Sequence, residues 1–260
     1  MSEYRWLKVE SEESGLRLVT MNKPPVNALG RELVQELTSA FEELAKDDQA
    51  RCMVLRSGVK HFCAGADLKE RQTMSHDEVR AFVPKLAAAC NAAAAIPYPT
   101  IVALHGAVAG GGCELALGCD LRIAADETTI GLRETALAII PGGGGTQRLP
   151  RLIGPARAKR WIWTAKMYSA DEAFADGVID RVVSTDLVQQ EARELALSIT
   201  ANGPQAVRLA KAAIERGAHL PLDKALELEW EIYQETLESE DRQEALVAFA
   251  EKRKPKFQGR

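Results

Sequence analysis

The sequence has few of the residues that disulfide frameworks, metal centres and membrane spans require. Its five cysteines include no pair with C-x-x-C spacing, and its four histidines form no H-E-x-x-H motif or other ligand cluster. The longest apolar stretches, such as Ala92–Ile96, are far shorter than the ~20 residues of a membrane span. The first fourteen residues are polar and charged and resemble no targeting segment. We therefore expect a soluble, cytoplasmic protein without a metal, whose thiols are free and buried.

Composition excludes several further classes. The chain has 260 residues, of which 46% are hydrophobic and 27% charged, so neither disorder nor a coiled coil is expected as its main state. A formal net charge of −4 argues against a general nucleic-acid binder, since such proteins are more often basic. There is no G-x-x-x-x-G-K-[ST] loop and no G-x-S-x-G elbow, and Gly110–Gly112 does not extend into G-x-G-x-x-G because residue 115 is leucine. ATP chemistry, serine hydrolysis and hydride transfer therefore lack their usual signatures.

The hydrophobic pattern predicts a mixed α/β body followed by an all-helical end. Short apolar runs predict strands at Leu16–Met21, Cys52–Leu55, Thr100–Leu104, Leu121–Ala124 and Val178–Val183. Helical spacing and two capping boxes predict helices at Arg31–Lys46, from Ser75 to Ala95 with an interruption at Pro84, and from Ser169 to Gly177. Beyond about residue 187 only helices are predicted, at Gln189–Thr200, Pro204–Arg216, Leu222–Leu237 and Asp241–Lys252.

One glycine-rich segment, His105 to Asp120, has features of an anion-stabilising turn. Three glycines follow a predicted strand and precede a helix, so a ligand could approach the backbone closely. The first amides of that helix lack internal partners and could hold developing negative charge. A tight strand-to-helix turn is the simpler alternative. Glu114 follows the last of these glycines by two residues, and could complement the helix dipole or act as a catalytic base.

Two further segments carry polar and glycine-rich motifs. The first is FCAGADLKE, from Phe62 to Glu70. The second runs from Ile130 to Arg151 and holds Glu134 and the PGGGG stretch Pro141–Gly145. Taken alone, Glu134 could be a solvated loop acid, and PGGGG could be a turn or a site of close backbone approach.

Together the three segments resemble the crotonase, or enoyl-CoA hydratase/isomerase, superfamily. The resemblance extends from Val19 to Gly259, and AGADLKERQTMS with ALAIIPGGGGTQRLPR is most similar to the 3-methylglutaconyl-CoA hydratases of leucine breakdown. It implies an α/β fold, a spiral of ββα units over residues 1–195 that carries the active site, followed by a helical oligomerisation region over residues 196–260. It also implies a homotrimer or a homohexamer built as a dimer of trimers, and no cofactor beyond the coenzyme A moiety of the substrate.

The resemblance also assigns residue roles. The amides of Ala66 and Gly111 would form an oxyanion hole for the thioester carbonyl, and Glu114 and Glu134 would share the water that is added or removed. The other implied coenzyme A contacts are Val26, Ala28, Ala64, Ala66, Asp67, Leu68 and Lys69. Lys252 and Phe257, in a tail of net charge +4, would complete the coenzyme A site of a neighbouring subunit.

The sequence alone does not decide which acyl group the substrate carries. A 3-methylglutaconyl substrate carries an extra carboxylate, which Arg133 or Arg71 could bind, although Arg133 could equally be a surface arginine. A short-chain enoyl-CoA hydratase acting on crotonyl-CoA, or a family isomerase, is the alternative within the enzymes. Some relatives are reported to bind RNA, but the acidic residues of the first predicted helix, Glu32, Glu36 and Glu42 among them, oppose a polyphosphate.

Overall fold

Nine strands and eleven α-helices form the fold of residues 3–260, which are the residues that the computed structural model describes. The strands are β1 (Leu7–Ser11), β2 (Leu16–Met21), β3 (Cys52–Ser57), β4 (Thr100–Leu104), β5 (Ala107–Ala109), β6 (Leu121–Ala125), β7 (Thr129–Gly131), β8 (Tyr168–Ser169) and β9 (Arg181–Val183). The first seven helices are α1 (Arg31–Leu44), α2 (Leu68–Gln72), α3 (His76–Ala94), α4 (Gly111–Ala116), α5 (Gly145–Ile153), α6 (Pro155–Thr164) and α7 (Ala170–Asp176). The last four are α8 (Val188–Thr200), α9 (Pro204–Gly217), α10 (Leu222–Gln234) and α11 (Glu240–Glu251), and one 3-10 helix spans Glu134–Leu137.

The main sheet has six strands in the order β1-β2-β3-β4-β6-β9. Only β1 is antiparallel to its neighbour, and the other strand pairs are parallel. Both β2 and β4 are buried along their whole length, as expected for parallel strands that are covered on both faces. This arrangement aligns the carboxyl ends of β3 and β4, from which the glycine-rich segments leave.

A small second sheet, in the order β5-β7-β8, lies beyond those carboxyl ends. Val108 in β5 pairs with Ile130 in β7 and also forms an isolated parallel bridge with Cys63. The second sheet therefore brings three stretches that are distant in sequence to one place: the segment after β3, the turn after β5 and the segment after β7.

Local signals explain where several helices begin and end. Ser75 and Ser169 each accept a hydrogen bond from the third helical amide, and the predicted capping boxes are confirmed. Gly177 ends α7 in the left-handed region at φ 85°, where glycine has no steric penalty. Pro84 does not interrupt α3, contrary to the prediction, because the helix continues from His76 to Ala94 around it.

The C-terminal helices differ in what they cover. Helix α8 packs on β2, β3, β4 and β6, and its buried residues, such as Ala192 and Ala196, belong to the cluster on that face of the main sheet. Helices α9 and α10 pack mainly on each other and leave large apolar residues exposed, including Ile214, Leu226 and Trp230. The predicted strand Val178–Val183 is shortened to Arg181–Val183, because Val178 and Ile179 are bonded to Ala173 after α7.

Candidate active site

The loop after β3 and the turn after β5 lie directly against each other. Ala109 N donates to Cys63 O at 3.0 Å, and a Cβ added at Gly112 would lie 2.5 Å from that same carbonyl oxygen. Gly65, at φ 88°, is equally close, since its Cβ would lie 2.7 Å from Ala109 O. Glycine is therefore required at both positions, and the two backbones approach more closely than side chains would allow.

The amides of Ala66 and Gly111 reach the surface of one cleft. Leu29 N donates to Gly65 O at 2.8 Å and Asp67 N donates to Leu29 O at 3.1 Å, which fixes the backbone on both sides of Ala66. Gly111 is the first residue of α4, so its amide has no partner within the helix. Within residues 3–260 neither amide has a hydrogen-bond acceptor. Two orphan donors at one cleft can stabilise a developing oxyanion.

The cleft has a volume of about 300 Å³ and combines apolar, acidic and basic walls. It brings together seven of the residues predicted from the sequence. These residues are Ala64, Ala66, Leu68, Arg71, Gly111, Arg133 and Glu134. Leu137 and Ile139, which the sequence analysis did not single out, form an apolar part of the wall.

Glu114 is buried, with 1% of its surface exposed, and is held by two backbone amides. Gly143 N and Gly145 N donate to Glu114 Oε1 at 2.7 and 2.8 Å. Burial raises the pKa of Glu114, while these amides and the Arg148 guanidinium act in the opposite direction. The PGGGG stretch thus provides fixed donors that favour the carboxylate form.

Glu134 has a contrasting environment. It begins the 3-10 helix, and its Oε2 atom is buried without a hydrogen-bond partner among the described residues. Burial, and then the negative charge of Glu114, raises its pKa from 4.5 to about 7. A Cβ added at Gly110 would lie 2.8 Å from Glu134 Oε1, so the carboxyl group reaches the start of α4 because residue 110 has no side chain.

The two acids therefore differ in the donors that surround them. Glu114 has two amide donors for its negative charge, whereas Glu134 has no donor to Oε2 and retains a proton up to about neutral pH. Two carboxyl groups with environments that separate their pKa values are a common arrangement for acid–base catalysis. Glu134 lines the cleft and Glu114 does not, although the negative charge of Glu114 acts on Glu134.

The two candidate arginines line the same cleft but differ in their contacts. Arg71 Nη1 is buried and has no hydrogen-bond partner among the described residues, and its guanidinium carbon lies 5.4 Å from the centre of the Phe82 ring. The side chain of Arg133 is exposed. A buried, unpaired guanidinium donor is costly, so Arg71 is the arginine better prepared to bind an anion.

Val26, Ala28 and Asp67 lie beside the cleft, and Lys69 is exposed on α2. Val26 O accepts from Ala64 N at 3.0 Å, and Ala28 O accepts from Lys23 Nζ at 2.9 Å. Asp67 caps α2 through Glu70 N and also pairs with Lys23 Nζ at 3.2 Å. Lys23 was missed from the sequence, and it ties the segment after β2 to the start of α2.

Lys252 and Phe257 do not line the cleft of their own chain. The tail folds onto the C-terminal helices, where Phe257 lies near Gly203 and its carbonyl accepts from Arg51 Nη2 at 2.8 Å. Lys252 is an exposed residue at the end of α11. Their predicted role at a neighbouring subunit stays a prediction.

Two features are absent from residues 3–260, the residues that the structure describes. No group of three or more histidine, cysteine, aspartate or glutamate side chains is arranged to hold a metal ion. None of the helices in this range is both long enough and apolar enough to cross a membrane.

Comparisons with known proteins agree with this geometry. The family model for enoyl-CoA hydratase/isomerase matches residues 11–260. A human protein described as enoyl-CoA hydratase domain-containing protein 2, mitochondrial, is 44% identical over 265 residues, which cover 100% of this chain and 91% of the relative. Human mitochondrial methylglutaconyl-CoA hydratase is 44% identical over 263 residues, covering 99% of this chain and 78% of the relative.

Solved structures show the same fold. The crystal structure of an enoyl-CoA hydratase from Bacillus anthracis superposes with a TM-score of 0.96 at 41% sequence identity, covering 98% of this chain and 100% of that one. The predicted crotonase-type α/β fold is thereby confirmed. Since the family match includes all but the first ten residues, the chain belongs to the enoyl-CoA hydratase/isomerase family and is an enzyme of the hydratase, or hydro-lyase, type.

Proposed function

We propose that the enzyme interconverts 3-methylglutaconyl-CoA and 3-hydroxy-3-methylglutaryl-CoA, as a step in leucine or isovalerate metabolism. The observation that carries the acyl assignment is Arg71, whose Nη1 atom is buried without a partner in the wall of the catalytic cleft. The similarity to mammalian methylglutaconyl-CoA hydratases supports the same assignment.

The oxyanion hole supplies the first part of the mechanism. Addition of water to the C2=C3 bond passes through an enolate, whose negative charge develops on the thioester oxygen. The amides of Ala66 and Gly111 face the cleft with no other acceptor, and each is expected to stabilise that charge by about 3–4 kcal/mol. Because both donors are fixed by the surrounding backbone, they need little reorganisation during the reaction.

The glutamates supply the second part. Glu114, whose charge is stabilised by Gly143 N and Gly145 N, accepts a proton from water as the oxygen adds to C3. Glu134, which is protonated up to a pH of about 7, donates its proton to C2. Dehydration reverses both transfers, and the net reaction adds or removes one water without a redox step.

Arg71 supplies the selectivity. The acyl group of 3-methylglutaconyl-CoA ends in a carboxylate two bonds from C3, whereas crotonyl-CoA ends in a methyl group. A carboxylate bound to Arg71 would pair the unsatisfied Nη1 donor and offset the cost of burying the guanidinium. Crotonyl-CoA would leave that donor unpaired, so the cleft favours the dicarboxylic substrate.

A substrate panel tests this proposal. We expect kcat/KM for 3-methylglutaconyl-CoA to exceed that for crotonyl-CoA. Arg71→Met should lower the dicarboxylic value by ~2–3 kcal/mol, about 30- to 150-fold, with little effect on crotonyl-CoA. Arg80→Met is the matched control, because Arg80 is exposed and pairs only with Asp77 on its own helix. Wild-type enzyme that prefers crotonyl-CoA tenfold would instead indicate a short-chain enoyl-CoA hydratase.

Arg133→Met separates the two arginines. If Arg133 is the anchor, its replacement and not that of Arg71 should remove the preference. If the preference for the dicarboxylic substrate survives both substitutions, the substrate assignment stands and neither arginine is its cause.

We further propose that residues 196–260 form an oligomerisation region, in a trimer or a dimer of trimers. Support comes from the exposed apolar residues of α10, since Leu226, Trp230 and Tyr233 are each more than half exposed in one chain. Light scattering after gel filtration tests the assembly, and a monomer would refute it.

A reducing compartment such as the cytoplasm is proposed because all five cysteines are free and buried.

A further inference from the structure

Arg148, on α5, is the charged side chain best placed to act on the catalytic base from outside the cleft. Its Nη1 atom donates to Gly143 O at 3.1 Å, and its Nη2 atom donates to Asn91 Oδ1 at 2.6 Å. Gly143 is also the residue whose amide donates to Glu114 Oε1 at 2.7 Å. The guanidinium therefore connects helix α3 to the loop that holds the catalytic carboxylate.

We propose that Arg148 is a positioning residue that fixes the Gly143–Gly145 loop, and with it the amides that bind the Glu114 carboxyl group. This inference rests on the proposed role of Glu114 as the base, and it is independent of which acyl group the enzyme accepts. The guanidinium bonds Gly143 O and Asn91 Oδ1, so Arg148 acts on Glu114 through the loop and through its charge.

The loop needs such a support because its sequence is almost entirely glycine. Gly142, Gly143, Gly144 and Gly145 place few restrictions on their own backbone, and Gly144 has φ 112°, in the left-handed region. A Cβ added at Gly143 would lie 2.7 Å from Glu114 Oε2, so a stiffer residue cannot replace this glycine. Arg148 holds the loop at Gly143 O, the carbonyl of the residue whose amide donates to Glu114.

The charged and titratable groups around Glu114 come from four elements. Glu134 faces it from the 3-10 helix and Cys113 from its own helix, while Cys90 on α3 and Arg148 on α5 complete the set. Both thiols have raised pKa values, chiefly because they are buried, and stay neutral. Arg148 is thus the one positive charge among these groups.

The test is the pH profile of kcat/KM for whichever enoyl-CoA thioester the wild-type enzyme hydrates fastest. Arg148→Met should move the acid limb to higher pH by about one unit, because losing a nearby positive charge raises the pKa of a carboxyl group. Its plateau kcat should fall about tenfold as the loop loosens. Arg148→Gln, which retains a donor to Gly143 O, should move the limb equally with a smaller fall in kcat.

Two variants keep the positive charge at residue 148 and change the hydrogen bonds that join it to Gly143 and Asn91. Arg148→Lys should leave the acid limb within about 0.3 units of wild type, although a lysine cannot bond both partners in the same fork geometry. Asn91→Leu should also leave the limb in place and lower the plateau about threefold. Arg151 is exposed and is bonded only to Gln147. Arg151→Met is therefore the control and should match wild type.

Several outcomes would overturn the inference. One is a fall in kcat without a shift of the acid limb in both Arg148→Met and Arg148→Gln, which is the result of a merely structural role. Another is a shift in Arg148→Lys as large as that in Arg148→Gln. Should Arg148→Met not fold, as judged by its thermal transition, the glutamine and lysine variants decide alone. Wild-type enzyme without hydratase activity would refute the proposed function instead, so the two failures are distinguishable.

Discussion

Replacing each catalytic glutamate by glutamine isolates proton transfer from the architecture of the site. Glu114→Gln keeps an oxygen that can accept from Gly143 N and Gly145 N, at 2.7 and 2.8 Å in the native enzyme. The loop should therefore stay in place while the base is lost. Glu134→Gln imitates the neutral acid but has no proton to transfer to carbon. We expect each variant to lower kcat by ~10²–10⁴, the usual range for a lost general acid or base.

The pH profile of the native enzyme follows from the same geometry. The active form of the free enzyme holds one proton on the pair, so kcat/KM should be bell-shaped. Its basic limb should lie near pH 7, because the pKa of Glu134 is raised to about 7 by burial and by Glu114. Above that pH the pair loses its proton and activity should fall tenfold per unit. Hydration and dehydration should share this profile, since no proton appears in the net equilibrium.

Initial rates from pH 5 to 9, with both directions measured by absorbance of the enoyl thioester, test these expectations. The KM of each glutamine variant should stay near the wild-type value, because the thioester contacts are unchanged. The double variant should be little worse than the poorer single, as expected for two groups that act as a unit. If either single variant kept more than about a third of wild-type kcat, its assigned role would be wrong. A basic limb well below pH 7, near the ordinary carboxyl pKa of 4.5, would refute the coupling between the two acids.

Two further predictions concern the glycines and the tail. Gly112→Ala should destabilise the protein by about 1–3 kcal/mol and lower kcat, because the new methyl group would lie 2.5 Å from Cys63 O and must displace the loop. Thermal unfolding and kinetics measure both effects, and Gly217→Ala is the control, since its methyl group would make ordinary contact at 3.6 Å. Lys252→Gln with Lys254→Gln should raise KM for acyl-CoA most strongly at low salt, where charges are least screened. An unchanged KM in an intact oligomer would show that these lysines do not serve the cofactor moiety.

The elements best predicted from the sequence are those whose pattern is long and buried. The strand Leu16–Met21 and the strand Thr100–Leu104 are observed at the predicted bounds, because their apolar runs have turn or proline residues at the ends. Helix α1 is two residues shorter than predicted and buries the predicted stripe, including Leu33, Leu37 and Phe41. An element that is buried on one side has apolar residues at regular spacing, and this spacing can be recognised in the sequence.

The short elements have no recognisable hydrophobic periodicity. The second sheet consists of strands of two or three residues, too short for alternation to be recognised. Helix α5 was also missed, because it begins with Gly145 and contains Pro150, two residues that argue against a helix. These elements form because neighbouring segments hold them.

The candidate site shows the same division. The glutamates and the glycines could be recognised as a set, since their residue types and order resemble a known family. The choice between Arg71 and Arg133 could not be made, because it depends on which side chain the fold buries. The bonds from Gly143 and Gly145 to Glu114 join residues 29 and 31 positions apart in sequence. Contacts of that kind are set by tertiary packing and not by local pattern.

The glycines explain why the environments of the two acids differ. Each carboxyl group rests against a residue without a side chain, Glu134 against Gly110 and Glu114 against Gly143, where an added Cβ would lie 2.8 and 2.7 Å from a carboxyl oxygen. At Gly143 the bare backbone also offers its amide, and the negative charge of Glu114 is stabilised. At Gly110 the amide is already bonded to Gly131 O at 2.8 Å, so Glu134 receives no donor from it. The same residue type therefore provides an amide donor to one carboxyl group and none to the other, because the backbone bonds around each glycine decide which amide is free.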